Sequence, residues 1–114
     1  MNDLKKKSII VTGATGGIGN SIIKKLDEYG ANILATGTNV QKLDDLKKSF
    51  SNLKILKFDI NQSEKIENFI DEATNELGGK LDCIINNAGI TQDNLAIRMS
   101  LDEWKNVINI NLTS

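Results

Sequence analysis

The sequence predicts an α/β fold of the doubly wound kind, a parallel sheet with helices on both faces. Three observations carry that expectation. Short β-branched runs alternate with segments of helical period, which selects right-handed βαβ units. The first such run, Ser8-Ile9-Ile10-Val11-Thr12, shows no polar alternation, as expected of a strand buried on both faces. A glycine cluster then joins that run directly to the first helical segment. With 114 residues there is room for one domain, and residues 1–114 are expected to form it.

Taken in order, the elements follow from local chemistry. After the glycine turn, Ile18, Ile22 and Leu26 recur four apart with Ile23 beside them, a helical stripe. Gly30 is expected to end that helix at the C′ position, where a positive φ is easy only for glycine. Asn32 to Thr36 reads as a second strand, Val40 to about Ser49 as a helix, and Leu53 to Phe58 as a third strand. Asp59-Ile60-Asn61 turns the chain, and Asn61 with Glu64 resembles a capping box that uses Asn. The next helix places Ile66, Phe69, Ile70, Ala73 and Leu77 on one face until Gly78-Gly79 stops it. Leu81 to Ile85 makes a fourth strand, expected to be left as an unpaired edge. Ser100 and Glu103 form a second capping box, opening a helix through Trp104, Val107 and Ile108.

Composition narrows the chemistry mainly by exclusion. The chain carries 14 basic and 15 acidic residues for a net charge of −1, giving no reason to expect a nucleic-acid or membrane-surface partner. The Lys5-Lys6-Lys7 run is a solvated approach to the first strand. There is no His, so His-based triads and His-ligated zinc are excluded; a single cysteine excludes a thiolate cluster, and no metal site is expected. That cysteine, Cys83, sits in the apolar run Cys83-Ile84-Ile85 as a small buried side chain and suits a reducing compartment. No apolar stretch of signal-peptide or membrane-spanning length occurs, so a cytoplasmic location is expected.

The chemistry-bearing feature is Gly13-Ala14-Thr15-Gly16-Gly17-Ile18-Gly19. Placed between a buried strand and an amphipathic helix, it matches a Rossmann-type dinucleotide turn. Gly13 would allow the tight turn, Gly17 the approach of a pyrophosphate to bare backbone, and Gly19 close helix–strand packing. Thr15 and Ile18 belong to the same cofactor-binding set. At the end of the second strand, Thr36-Gly37-Thr38-Asn39 offers no acid to hold an NAD ribose and repel a 2′-phosphate. NADP is therefore favoured, with Thr38 able to bond its 2′-phosphate; NAD stays the alternative, since Thr36 and Thr38 could simply finish a strand.

Thr12-Gly13-x-x-x-Gly17-x-Gly19 followed by Asn86-Asn87-Ala88-Gly89 resembles the short-chain dehydrogenase/reductase family. The stretch Asn86 to Leu95, then Arg98-Met99 and Asn111-Leu112-Thr113-Ser114, is similar to the bacterial 3-oxoacyl-[acyl-carrier-protein] reductases within it. The resemblance implies the N-terminal half of a sheet ordered 3-2-1-4 that continues in the whole enzyme. It implies NADPH-dependent reduction of a 3-oxoacyl thioester on acyl carrier protein to the (3R)-3-hydroxyacyl thioester, in fatty acid synthesis, by a homotetramer.

The same resemblance assigns Asp59 and Ile60 to the adenine ring, and Asn86, Ala88 and Gly89 to the central strand and the cofactor ribose. Asn111 matches the Asn of an Asn-Ser-Tyr-Lys catalytic tetrad; taken alone, it would be read as a local backbone bond near a helix end. Two departures stand out: Gly16 and Gln92 each occupy a place where such reductases commonly have Arg. The one tyrosine, Tyr29, is followed four residues on by Ile33, so the remaining tetrad members are expected beyond Ser114. The 114 residues alone are expected to be marginally stable and inactive. Two other readings remain open: a related enzyme acting on a different carbonyl or alcohol, and a non-catalytic nucleotide-binding module.

Overall fold

All five residues of β1, Ser8–Thr12, are buried, because the strand has neighbours on both edges and helices over both faces. A computed structural model describes residues 7–59, 62–86 and 108–111. On one side β1 pairs in parallel with β2, Asn32–Gly37, and on the other with β4, Cys83–Asn86. β3, Lys54–Lys57, lies outside β2, and β5, Ile108–Asn111, lies outside β4. The order is β3-β2-β1-β4-β5, so the expected 3-2-1-4 arrangement is present with one strand more.

Strand pleating sends alternate residues to opposite faces, and the core divides accordingly. Ile10, Leu34 and Ile84 are aligned across three strands. They pack against Ile66, Phe69, Ile70, Ala73 and Leu77, the expected stripe of α3, Ile66–Glu76, and the turn that ends it. Ile9, Val11, Ile33, Ala35 and Ile85 face the other way, against Ile23 of α1, Gly17–Glu28, and Leu43 and Leu46 of α2, Val40–Ser49. Helices on both faces make the sheet doubly wound.

The helix ends explain themselves. At the end of α1 the amide of Gly30 donates to Asp27 O at 3.0 Å and that of Ala31 to Leu26 O at 3.1 Å. This is the Schellman pattern, and it requires the positive φ of 83° found at Gly30. α3 ends the same way, with Gly78 donating to Asn75 O and Gly79 to Thr74 O. α2 starts on Asn39, whose Oδ1 accepts from the Lys42 amide at 3.0 Å.

Two expectations are corrected. Ile108 lies on a strand rather than a helix, and β4 is not an edge, because β5 pairs with it from Cys83↔Ile108 to Asn86↔Asn111. The physical reason is twofold: Ile108-Asn109-Ile110-Asn111 alternates at period two, and pairing satisfies backbone groups that β4 would otherwise expose. The second concerns α1, where Gly19 and Ile23 face the sheet, Ile22 and Leu26 are half-buried, and Ile18 is 51% exposed. α3 is entered through a 3₁₀ turn at Ser63–Lys65, and its N-cap Lys65 makes no side-chain capping bond. Asn61, Ser100, Glu103, Trp104 and Val107 lie outside the described residues.

Candidate functional site

The carboxyl ends of β1, β2, β3 and β4 lie along one edge of the sheet, where parallel α/β folds place their ligands. The glycine turn leaves β1 at that edge. Gly13 has φ 59°, the left-handed conformation that lets the chain reverse immediately after Thr12. The Ala14 amide donates to Thr36 O at 3.2 Å, tying the turn to β2. Gly19 is required for a different reason: a Cβ there would stand 2.6 Å from Gly13 O and 2.7 Å from Ala14 Cα. Bare backbone is thus what allows α1 to close on the turn.

Gly16 is the N-cap of α1 and makes no side-chain capping bond; the first turn holds no acidic residue. The Asn20 amide reaches Gly16 O at 2.9 Å, but the amides before it have no acceptor within the helix. Around them the space is open, since a Cβ on Gly16 or Gly17 would meet nothing within 4 Å. The first turn of α1 therefore presents uncapped donors, the positive end of a helix dipole and an exposed apolar side chain, Ile18, to one open surface. An anion joined to a flat apolar group is the kind of ligand this surface suits.

Two clefts are lined by expected cofactor residues. One, of ≈ 430 Å³, is lined by Thr38, Lys57, Phe58, Asp59 and Gln62, so two of the expected cofactor residues, Thr38 and Asp59, share a wall. The Gln62 amide donates to Asp59 O at 2.9 Å and that of Phe58 to Gly37 O at 3.0 Å, which shapes the floor. The other, of ≈ 300 Å³, is lined by Thr15 and Asn20 on one side and Lys42, Asp45, Leu46 and Ser49 of α2 on the other. Thr15 packs close to β2: a Cβ on Gly37 would lie 3.5 Å from its Cγ2. Thr36 is buried and donates through Oγ1 to Leu56 O at 2.6 Å, so it serves the sheet rather than the site.

Thr12, Asn86 and Asn111 follow one another in register at the ends of β1, β4 and β5. Asn111 thus reaches the sheet's ligand edge on a strand rather than near a helix end. Ile60, Ala88 and Gly89 lie outside the described residues, as does Gln92. Lys42 and Asn20 are missed by sequence reasoning, because their place in the second cleft depends on how α1 and α2 are turned toward the glycine turn.

Cys83 is half-buried, and burial, with the nearby Asp82 carboxylate second, pushes its thiol above the ordinary value. That environment disfavours a nucleophilic thiolate. Among the described residues no helix is long and apolar enough to cross a membrane.

Comparison with known proteins agrees with this geometry. The sequence profile described as short chain dehydrogenase matches residues 7–114. The chain is 40% identical to a 3-oxoacyl-[acyl-carrier-protein] reductase of Rickettsia conorii over 113 residues, covering 98% of this chain and 45% of that protein. It is 36% identical to nodulation protein G of a Rhizobium species, covering 100% of this chain and 46% of the relative. A crystal structure from Brucella melitensis, described as a short-chain dehydrogenase/reductase of the glucose/ribitol dehydrogenase type, superposes with a TM-score of 0.68 at 28% identity. That match covers 92% of this chain and 46% of the other. The chain spans about half the length of the curated relatives it matches. With the profile running through all but the first few residues, on a doubly wound sheet with a glycine turn at its ligand edge, the chain belongs to the short chain dehydrogenase family.

Proposed function

We propose that these residues form the dinucleotide-binding half of an NADPH-dependent oxidoreductase, a 3-oxoacyl-[acyl-carrier-protein] reductase. The protein would reduce the 3-oxo group of an acyl-carrier-protein thioester to the (3R)-3-hydroxy product, as a cytoplasmic homotetramer. The observation that carries the nucleotide part is the glycine turn, with Gly13 at φ 59° and no room for a Cβ at Gly19. The substrate part is supported by the resemblance of the Asn86–Met99 segment and by the printed name of the Rickettsia relative.

On this reading the open amides of Gly17 and Ile18 hold the pyrophosphate, assisted by Thr15, while Gly19 keeps the helix start against the turn. Thr38 bonds the 2′-phosphate, and Asp59 and Ile60 border the adenine. Asn86, Ala88 and Gly89 line the ribose. When bound, NADPH supplies the hydride. Asn111 serves the proton relay by positioning water, at an edge shared with Asn86. The phenol that such a relay needs has no candidate in these residues, since Tyr29 is the one tyrosine in the 114 residues and closes α1 away from the turn. These residues alone therefore bind nucleotide without turnover.

A second reading, action on another carbonyl or alcohol, is favoured by the similarity to the structure described as of the glucose/ribitol dehydrogenase type. The test has two parts. NADPH fluorescence is titrated against the 114-residue chain, where saturable binding is expected and its absence would sink the nucleotide reading. Acetoacetyl-carrier-protein reduction is then assayed with the protein at the length its gene encodes. Turnover is expected there, and turnover of sugars or simple alcohols instead would transfer the reading to the second activity.

A further inference from the structure

Among the described residues, the cleft between the glycine turn and α2 contains one cation, Lys42, in a place where a helix disfavours it. Lys42 lies in the first turn of α2, near the positive end of that helix's dipole. No acidic residue stands in that turn to offset it. Among the described residues its ammonium makes no ion pair or hydrogen bond. The carboxylate in the same cleft, Asp45, accepts instead from Gln41 Nε2 at 3.3 Å. The Lys42 backbone is held by its bond to Asn39 Oδ1, so the residue is fixed at the root and free at the tip.

Across the cleft stands Thr15, itself close to Gly37 at the end of β2, with Thr38 next in the chain. Gly16 contributes no side chain, and a Cβ there would meet nothing within 4 Å, so the turn supplies no cation of its own and leaves the cleft open. An exposed lysine that raises the local potential beside uncapped helix donors calls for an anionic ligand.

We infer that Lys42 is the specificity-determining cation for the cofactor, reaching from the cleft between Thr15 and α2 to the 2′-phosphate of NADPH that Thr38 bonds, since Asn39, next to Thr38, already holds the Lys42 backbone. The inference rests on the NADPH reading above and adds the residue that would enforce it. The pyrophosphate stays at the α1 amides, so Lys42 discriminates between the two nucleotides without governing binding of both.

The test uses the whole chain and two probes that isolate the adenosine end, adenosine 2′,5′-bisphosphate and 5′-AMP, titrated by calorimetry. The wild type is expected to bind the bisphosphate more tightly. Lys42→Gln should weaken it about tenfold, the scale of one charge-assisted hydrogen bond, and leave 5′-AMP within about twofold. Lys42→Arg should restore the preference. A wild-type preference that survives Lys42→Gln overturns the Lys42 assignment while leaving the NADPH reading intact. Equal weakening of both probes also overturns it, because Lys42 would then act on the fold. A wild type with no preference sinks the NADPH reading itself, and the assignment with it.

Discussion

Replacing Gly19 by Ala probes the point on which turn and helix depend together. The added Cβ would stand 2.6, 2.7 and 2.8 Å from Gly13 O, Ala14 Cα and Ala14 C, all backbone atoms with no rotamer to escape into. Ordinary contact needs the turn and α1 to separate by roughly 0.6–0.8 Å, an overpacking strain near the upper end of about 1–3 kcal/mol. The better helix propensity of Ala offsets up to about 1 kcal/mol. The net loss is about 2 kcal/mol, which for a chain of this size lowers the melting temperature by about 8 °C. Nucleotide affinity should fall as well, because the displaced helix start no longer aims its amides at the turn. Thermal unfolding followed by circular dichroism, with an NADPH titration beside it, measures both. Gly17→Ala is the matched control: its Cβ meets no protein atom, so stability should hold while affinity drops through lost space for the pyrophosphate. A Gly19→Ala variant that melts and binds like the wild type would refute the reasoning.

Other substitutions test the frame around the site. Asn39→Ala removes the side chain that caps α2 through the Lys42 amide, and should cost about 1 kcal/mol in urea unfolding. Asp82→Ala should cost about 2 kcal/mol, because Asp82 Oδ2 accepts from the buried Ser8 amide at 2.8 Å while the Asp82 amide donates back to Ser8 O at 2.9 Å. The Ser8 amide would be left without that carboxylate, and an unchanged urea midpoint would contradict this role. Cys83 should alkylate more slowly in the folded chain than in denaturant at the same pH, since burial raises its thiol value. The raised value also means that the unfolded thiol ionises first on raising the pH. The native state then holds the proton longer, so stability should decline with pH above the unfolded thiol's value.

Much of the fold is legible in the sequence because its signals are local. The β-branched run at Ser8–Thr12, the stripe from Ile66 to Leu77 and the glycines closing α1 and α3 each carry their own physics. Ile108–Asn111 does not: four residues alternating at period two are ambiguous beside a capping signal upstream, and the decision belongs to β4, whose free edge needs a partner. The site divides in the same way. Glycines that turn or approach closely announce themselves between a strand and a helix. Lys42 does not, because a lysine in a helix faces a cleft only once the helix packing is known. Ile18 misleads for a related reason: it fits the apolar stripe of α1, yet Gly19 and Ile23 are the residues turned to the sheet.

The central claim is that a dinucleotide's phosphates sit on the start of α1. The most direct measurement is an amide-resolved NMR titration of the isotopically labelled chain with NADPH. Saturable shifts centred on Gly13, Gly16, Gly17, Ile18 and Gly19 are expected, with smaller ones at Thr38 and Lys42. Shifts that avoid the glycine turn, or no saturable shift at all, would contradict it.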